Sequence, residues 1–304
     1  CRWTLLVIAD ACYCNLFLKV WTTFFFKSIE ETFQAICHLR VFSVERHSAR
    51  EEFNMTLEVL LTKASFVLGS LWKLRINIDA FKNEYSNELV TQASIGRGFQ
   101  LIDFLQIDFK NKKIIDRVKV RLLEDDYICW FRFFELTLNA SKIDSWNSEV
   151  LTQEEINKRI PNILSRAKAA KEIGNKYLWG GTIGPDFDCS GFVQSAFAGS
   201  GIWIPRDAYQ QEKFCQNVAF EINDLGKKLL PGDLLFFGSS EECTHVGLHI
   251  ENGFYLHSSG ESNGHNGIEI DGLLQPHLDE IASFYRSQFR SAGRVISCYQ
   301  SKKL

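Results

Sequence analysis

The 304-residue chain sets 34 Lys and Arg against 37 Asp and Glu, for a formal charge of −3, with 45% hydrophobic and 23% charged residues. That composition builds a core and argues against wholesale disorder, while the near-neutral balance supplies no basic field to grip a nucleic-acid backbone. At roughly 100–200 residues per domain, about two domains are expected. The nine cysteines show no paired spacing, so they read as mostly free thiols of a reducing compartment, which points to the cytoplasm.

Residues 1–71 form an N-terminal segment of uncertain standing. Cys1 opens the chain and Met55 is its single methionine. Residues 4–26 are apolar-rich, but Asp10 and Lys19 interrupt a run that would need about 20 apolar residues to span a bilayer. No basic flank with a small-residue cleavage site marks a signal peptide, and no stable membrane insertion is expected. Residues 1–54 are expected to be upstream sequence outside the working protein. A poorly formed anchor and an extra helical segment are the alternatives.

From residue 72 to 141 the pattern is short β-type runs between polar turns: 74–81, 99–109 and 114–123. Arg117-Val118-Lys119-Val120-Arg121-Leu122 alternates with period two, as a half-buried strand does. About 70 residues of this kind suit a small barrel. A boundary at 141–152 leaves residues 142–304 as the second domain. There Thr152 and Glu155 form a capping box, Pro161 should break or kink the helix, and Gly174 is a candidate C-cap. A second helix is expected from Cys189 to Ala198, and strands at 234–238, 245–250, 254–259 and 293–299. The expected class is α+β.

Asp186-Phe187-Asp188-Cys189-Ser190-Gly191-Phe192 sets a thiol in the first turn of that second helix. Unpaired backbone amides and the helix dipole favour an anion there, so a lowered thiol pKa is expected. A thiol nucleophile also needs a base, and His245 and His257 lie on adjacent strands joined at Glu251-Asn252-Gly253. A two-residue Asn-Gly turn would pair 248 with 257 and put the imidazoles on opposite faces. A three-residue loop with Gly253 left-handed pairs 247 with 257 and 245 with 259, placing both rings on one face. The three-residue loop is expected. His249, about 13 Å along from His245, reads as structural, and Cys243 as exposed. Asp188 can equally be a helix N-cap, Tyr127 an ordinary barrel-edge aromatic, and Ser190 and Ser258 turn caps. Arg206-Asp207 reads as a buried pair holding a loop over the cleft, or as a site for a substrate carboxylate. No metal is expected, because a strand cannot aim His245 and His249 at one ion.

Tyr177-Leu178-Trp179-Gly180-Gly181, Asp188-Cys189-Ser190-Gly191, Pro205-Arg206, Pro231-Gly232-Asp233, His245-Val246-Gly247 and His257-Ser258-Ser259-Gly260, in this order, resemble the NlpC family of papain-like bacterial cysteine peptidases. The resemblance implies Cys189 as nucleophile, His245 as base and His257 as third member, with no cofactor. Glu124-Asp125-Asp126-Tyr127, Pro205 through Gln211, and Ala292-Gly293-Arg294-Val295 are similar to a subgroup, typified in cyanobacteria, that carries a bacterial SH3-like barrel before the catalytic domain. That subgroup cleaves γ-D-glutamyl–diamino acid bonds in murein peptides with a free N-terminal L-Ala, in peptidoglycan recycling. It implies Asp188 as amine-binding carboxylate and Tyr127 as the barrel residue closing the subsite, while Ser190, Ser258 and Arg206 are candidates for binding the peptide. Residues 1–54 match nothing in it, and Asn111-Lys112-Lys113 lengthens the barrel. Acyl transfer or amidase chemistry by the same Cys–His pair, and a non-catalytic wall-binding module, are the competing readings.

Overall fold

The structure, a computed structural model, describes residues 66–103, 107–108, 113–114, 117–219, 228–274 and 279–302. The expectations for residues 1–54 and for the lengthened loop at 111–112 lie outside the described residues. Chain order runs β1 (Leu71–Leu74), β2 (Ile78–Phe81), β3 (Leu89–Ala93) and β4 (Gly98–Asp103), then a ribbon of β5 (Ile107–Asp108) and β6 (Lys113–Ile114). It continues through β7 (Arg117–Leu122), β8 (Ile128–Arg132), helix α1 (Phe133–Asn139) and β9 (Ala140–Ile143). All but the ribbon make one antiparallel sheet, in the order β3-β2-β8-β7-β4-β1-β9. Alternation explains β7: Val118, Val120 and Leu122 enter a core with Trp72, Phe99 and Phe131, while Lys119 and Arg121 stay half-exposed.

The second part begins with α2 (Gln153–Lys171), α3 (Cys189–Ala198) and α4 (Ala208–Phe214), followed by β10 (Gln216–Asn217). After it come β11 (Leu234–Gly238), β12 (Cys243–Glu251), β13 (Phe254–Ser259), β14 (Gly267–Gly272), α5 (Glu280–Ser287) and β15 (Phe289–Arg294). Thr152 caps α2 in a capping box with Glu155, as its sequence spacing requires. The helix does not break at Pro161: α2 runs through it and ends at a Glu172 cap before Gly174. One lost backbone hydrogen bond is outweighed because Ile156 and Ile163, on either side of the proline, are buried on one stripe.

The six strands of the second sheet are ordered β10-β15-β11-β12-β13-β14. Leu-Leu-Phe-Phe in β11 is apolar throughout because both faces of the sheet are covered. Leu234 and Phe236 meet α2 and α3, whereas Leu235 and Phe237 meet Tyr255 and Tyr285 beneath α5. Two expectations needed correction here. The last strand occupies 289–294, and the chain from Val295 to Tyr299 is irregular. β14 and α5 were not anticipated, since Gly267–Gly272 mixes charged and apolar residues without clean alternation.

The two sheets are joined by polar contacts. Thr182 and Gln92 exchange hydrogen bonds, with the Thr182 hydroxyl donating to the Gln92 carbonyl at 2.6 Å. Gln194 on α3 donates to Asp125 at 2.8 Å, and Asp125 and Glu124 both hold the buried Arg97 guanidinium. Glu124 and Asp125 thus turn the chain just before Tyr127 while tying that turn to the helix that carries Cys189.

Candidate active site

Asp188 is the N-cap of α3, its carboxylate accepting the Gly191 amide at 2.7 Å, and Cys189 is the first helical residue. The same carboxylate accepts the Gly180 amide at 2.9 Å, so one side chain ties the Trp179-Gly180-Gly181 turn to the turn that carries Cys189. A side chain at Gly191 would run into the Gly181 carbonyl, which is the physical reason a glycine follows Cys189-Ser190. Cys189 is buried, and the backbone amide of Val246, the residue after His245, donates toward its sulfur. Tyr177 and Tyr285 lie within electrostatic range of the same thiol.

His245 Nε2 lies 2.7 Å from His257 Nδ1, with the rings at 88°. Tyr285 covers both, its ring centroid 4.5 Å from that of His245 and 4.8 Å from that of His257. The turn between the strands differs from the expected loop. Glu251 pairs with Phe254 around a two-residue Asn252-Gly253 turn, both residues at positive φ. Below it Leu248 pairs with Leu256, and Ile250 is the extra residue of a bulge. The bulge restores the register that the three-residue loop would have produced, so the two-residue turn does not part the histidines. His249 serves that turn: its Nδ1 meets the Leu230 carbonyl at 2.9 Å and its Nε2 accepts the Gly253 amide at 3.2 Å.

The electrostatics reverse one expectation. Burial pushes the Cys189 thiol up to about 12, with the Asp188 carboxylate adding to the rise and the Val246 amide and Arg206 acting against it. Desolvation outweighs the helix terminus, so the resting group is a thiol. Burial also holds His245 well below the ordinary imidazole value, and the neighbouring His257 lowers it further. Each group therefore rests neutral, Cys189 as a thiol and His245 as an imidazole. With Nε2 taken by His257, Nδ1 is the nitrogen of His245 that can receive the proton.

Most of the candidate binding residues turn inward. Arg206, 1% exposed, forks onto Asp188 at 2.5 and 3.1 Å and reaches Ser190 Oγ at 2.9 Å and Thr91 Oγ1 at 3.0 Å. It pairs with Asp188 and not, as expected, with its chain neighbour Asp207 by a hydrogen bond. Ser258 donates to the Phe187 carbonyl at 2.7 Å and is fully buried. Tyr127 remains half-buried at the edge of the first core, within electrostatic range of the Asp207 carboxylate. Burial raises Asp207 to about 6. Cys243, read as exposed, is buried, its thiol directed at the His245 carbonyl. Cys129, Cys189, Cys215, Cys243 and Cys298 are free thiols.

Sequence reasoning missed Asp271. It sits on β14 with one carboxylate oxygen 3.0 Å from His257 Nε2 and the other 2.9 Å from His265 Nε2. Among the described residues, His257, His265 and Asp271 are the one group whose metal-ligating atoms lie within 4.8 Å of one another. Each of those atoms is already engaged in a hydrogen bond of this cluster, so the group reads as a hydrogen-bonded relay.

Residues 174–281 match the NlpC/P60 family. The chain is 44% identical over 89 residues to a gamma-D-glutamyl-L-lysine dipeptidyl-peptidase of Bacillus subtilis, covering 28% of each protein. It is 34% identical over 107 residues to a probable endopeptidase p60 of Listeria innocua, covering 35% of this chain and 21% of that one. A murein DD-endopeptidase and LD-carboxypeptidase of Escherichia coli is 27% identical over 151 residues, covering 48% and 71%. The chain thus spans about a fifth to a quarter of the length of the first two relatives. An NlpC/P60 family protein of Bacillus cereus, of known structure, aligns over 75% of this chain and 64% of its own at 22% identity and a TM-score of 0.38.

Proposed function

We propose, from the premise that this chain carries an NlpC/P60 domain, whose family members are cysteine peptidases, that it hydrolyses the γ-D-glutamyl–diamino acid bond of murein peptides with a free N-terminal L-Ala. The observation that carries the reading is the joint placement of Cys189, the Val246 amide beside its sulfur, and His245 held by His257 at 2.7 Å. In this reading His245 takes the thiol proton as Cys189 attacks the scissile carbonyl. Amides of the first turn of α3 stabilise the developing oxyanion in this reading. The imidazolium then protonates the leaving amine, and water, activated by the same imidazole, releases the acyl group.

Residues 72–141 act in this proposal as an SH3-like domain that walls off the upstream subsite through Tyr127, with residues 142–304 as the peptidase domain. Asp188, engaged by Arg206 and two backbone amides, and Asp207, which caps α4, are the carboxylates proposed to meet the substrate ammonium. The raised pKa of Asp207 marks a negative charge that a bound ammonium would stabilise. No helix among the described residues is long and apolar enough to cross a membrane. With five free thiols among the described residues, a cytoplasmic role in peptidoglycan recycling is the setting proposed.

The test offers L-Ala-γ-D-Glu-meso-diaminopimelate and its N-acetylated form to the protein and to Cys189→Ala. Release of the dipeptide from the free-amine peptide alone, abolished in Cys189→Ala, is expected. Equal cleavage of both peptides overturns the amine subsite. Activity surviving in Cys189→Ala overturns the mechanism, and products joined to an added amine acceptor would favour acyl transfer.

A further inference from the structure

The hydrogen bonds behind His245 do not stop at His257. Asp271 stands between His257 and His265, each ring presenting Nε2 to a separate carboxylate oxygen at 3.0 and 2.9 Å. The side chain is 4% exposed and lies on β14, where the sheet register sets Asp271 across from Tyr255 and Glu269 across from His257. Burial alone would raise this carboxyl, but the hydrogen bonds from both rings outweigh it and hold it below the ordinary value, so it is a carboxylate at neutral pH.

A carboxylate only accepts hydrogen bonds, and each neutral imidazole carries a single N–H. The protons in the chain therefore have one consistent order. His257 must donate from Nε2 to Asp271, which leaves its Nδ1 bare. A bare Nδ1 at 2.7 Å obliges His245 to donate from Nε2. His245 Nδ1 is then the lone pair, the one arrangement in which this ring can take a proton from Cys189. His265, whose side chain is 21% exposed, engages the second carboxylate oxygen and keeps Asp271 turned toward His257.

We infer that Asp271 is a positioning residue of the Cys189–His245–His257 site, fixing the tautomers of both histidines so that the basic nitrogen faces the nucleophile, and that His265 supports it in this role. The inference rests on the peptidase reading for its purpose, but its test requires no murein peptide. Long-range proton–nitrogen NMR of the unaltered protein at pH 7.5 reads the tautomers directly. Nε2-protonated, Nδ1-bare signals for both His245 and His257 are expected, and Nδ1-protonated forms overturn the inference.

The variant Asp271→Asn, whose amide can donate to His257 Nε2 and reverse the chain, is compared by iodoacetamide labelling of Cys189, identified by peptide mass. A fall of about tenfold or more in the labelling rate is expected at an unchanged thermal midpoint, since it is His245 that generates thiolate from a buried thiol. A smaller fall is expected for His265→Gln. If Asp271→Asn unfolds, the NMR assignment on the unaltered protein still decides the matter. Labelling within twofold of the parent, with both tautomers retained in Asp271→Asn, overturns the inference. Correct tautomers without peptide cleavage would instead count against the substrate reading alone.

Discussion

The His245 and His257 imidazoles meet at 2.7 Å because Ile250 is one residue more than β12 needs to pair with β13. Replacing the second imidazole with an apolar ring isolates what its nitrogens do. His257→Phe should leave the fold intact and lower kcat on the order of 10²-fold, with KM little changed, since an orienting partner acts on the chemical step. Steady-state kinetics on the free-amine peptide check this, and an equal loss in KM would argue against an orienting role.

In the proposed mechanism, with His245 as base, the acid limit of activity follows from its burial. The base must be neutral, and its pKa lies well below the ordinary 6.5 because charging it requires desolvation beside His257. As pH falls from 8 the imidazole stays neutral through 6.5 and gains its proton only further down. The rate is expected to hold past pH 6.5 and drop below it. A midpoint at or above 6.5 in kcat/KM would show that His245 is more solvated than its surroundings indicate.

The resting thiol makes a separate prediction. With Cys189 pushed up to about 12 by burial, a preformed thiolate–imidazolium pair is not the ground state. Alkylation by iodoacetamide should climb steadily between pH 7 and 10, with no plateau near neutrality. A rate already at its maximum at pH 7 would overturn this.

Arg206 and Asp188 form a buried fork at the turn that carries Cys189. Arg206→Met strands a buried carboxylate, at a cost of about 3–5 kcal/mol. Thermal denaturation should show a large loss, partly recovered in Arg206→Met/Asp188→Asn. Arg206→Lys should also destabilise, since an ammonium cannot span Asp188, Ser190 and Thr91 together.

Gly191→Ala places a methyl against the Gly181 carbonyl and the Thr182 side chain. Either the turn carrying Cys189 or the Gly180-Gly181 turn must move. A destabilisation of about 1–3 kcal/mol is expected, together with reduced Cys189 labelling. A neutral effect on both would show that the two turns are not held as close as they stand.

The local sequence determined the pieces of this site. Asp188 caps α3 because a carboxylate three residues before a glycine amide satisfies an orphan donor. Cys189 sits at the first turn for that reason, and the runs at 234–238 and 254–259 are strands because their apolar residues suit a sheet covered on both faces. Short-range periodicity carries such information. The tertiary structure decided what those pieces become. Whether the Asn-Gly turn separates or joins the two histidines depends on a bulge at Ile250 that no residue type announces. The thiol's protonation depends on how completely the distant β12 and its neighbours shield it, and Asp271 reaches His257 only because an irregular β14 pairs in a particular register. Desolvation and hydrogen-bond direction are set by neighbours far apart along the chain, so they exist only once it has folded.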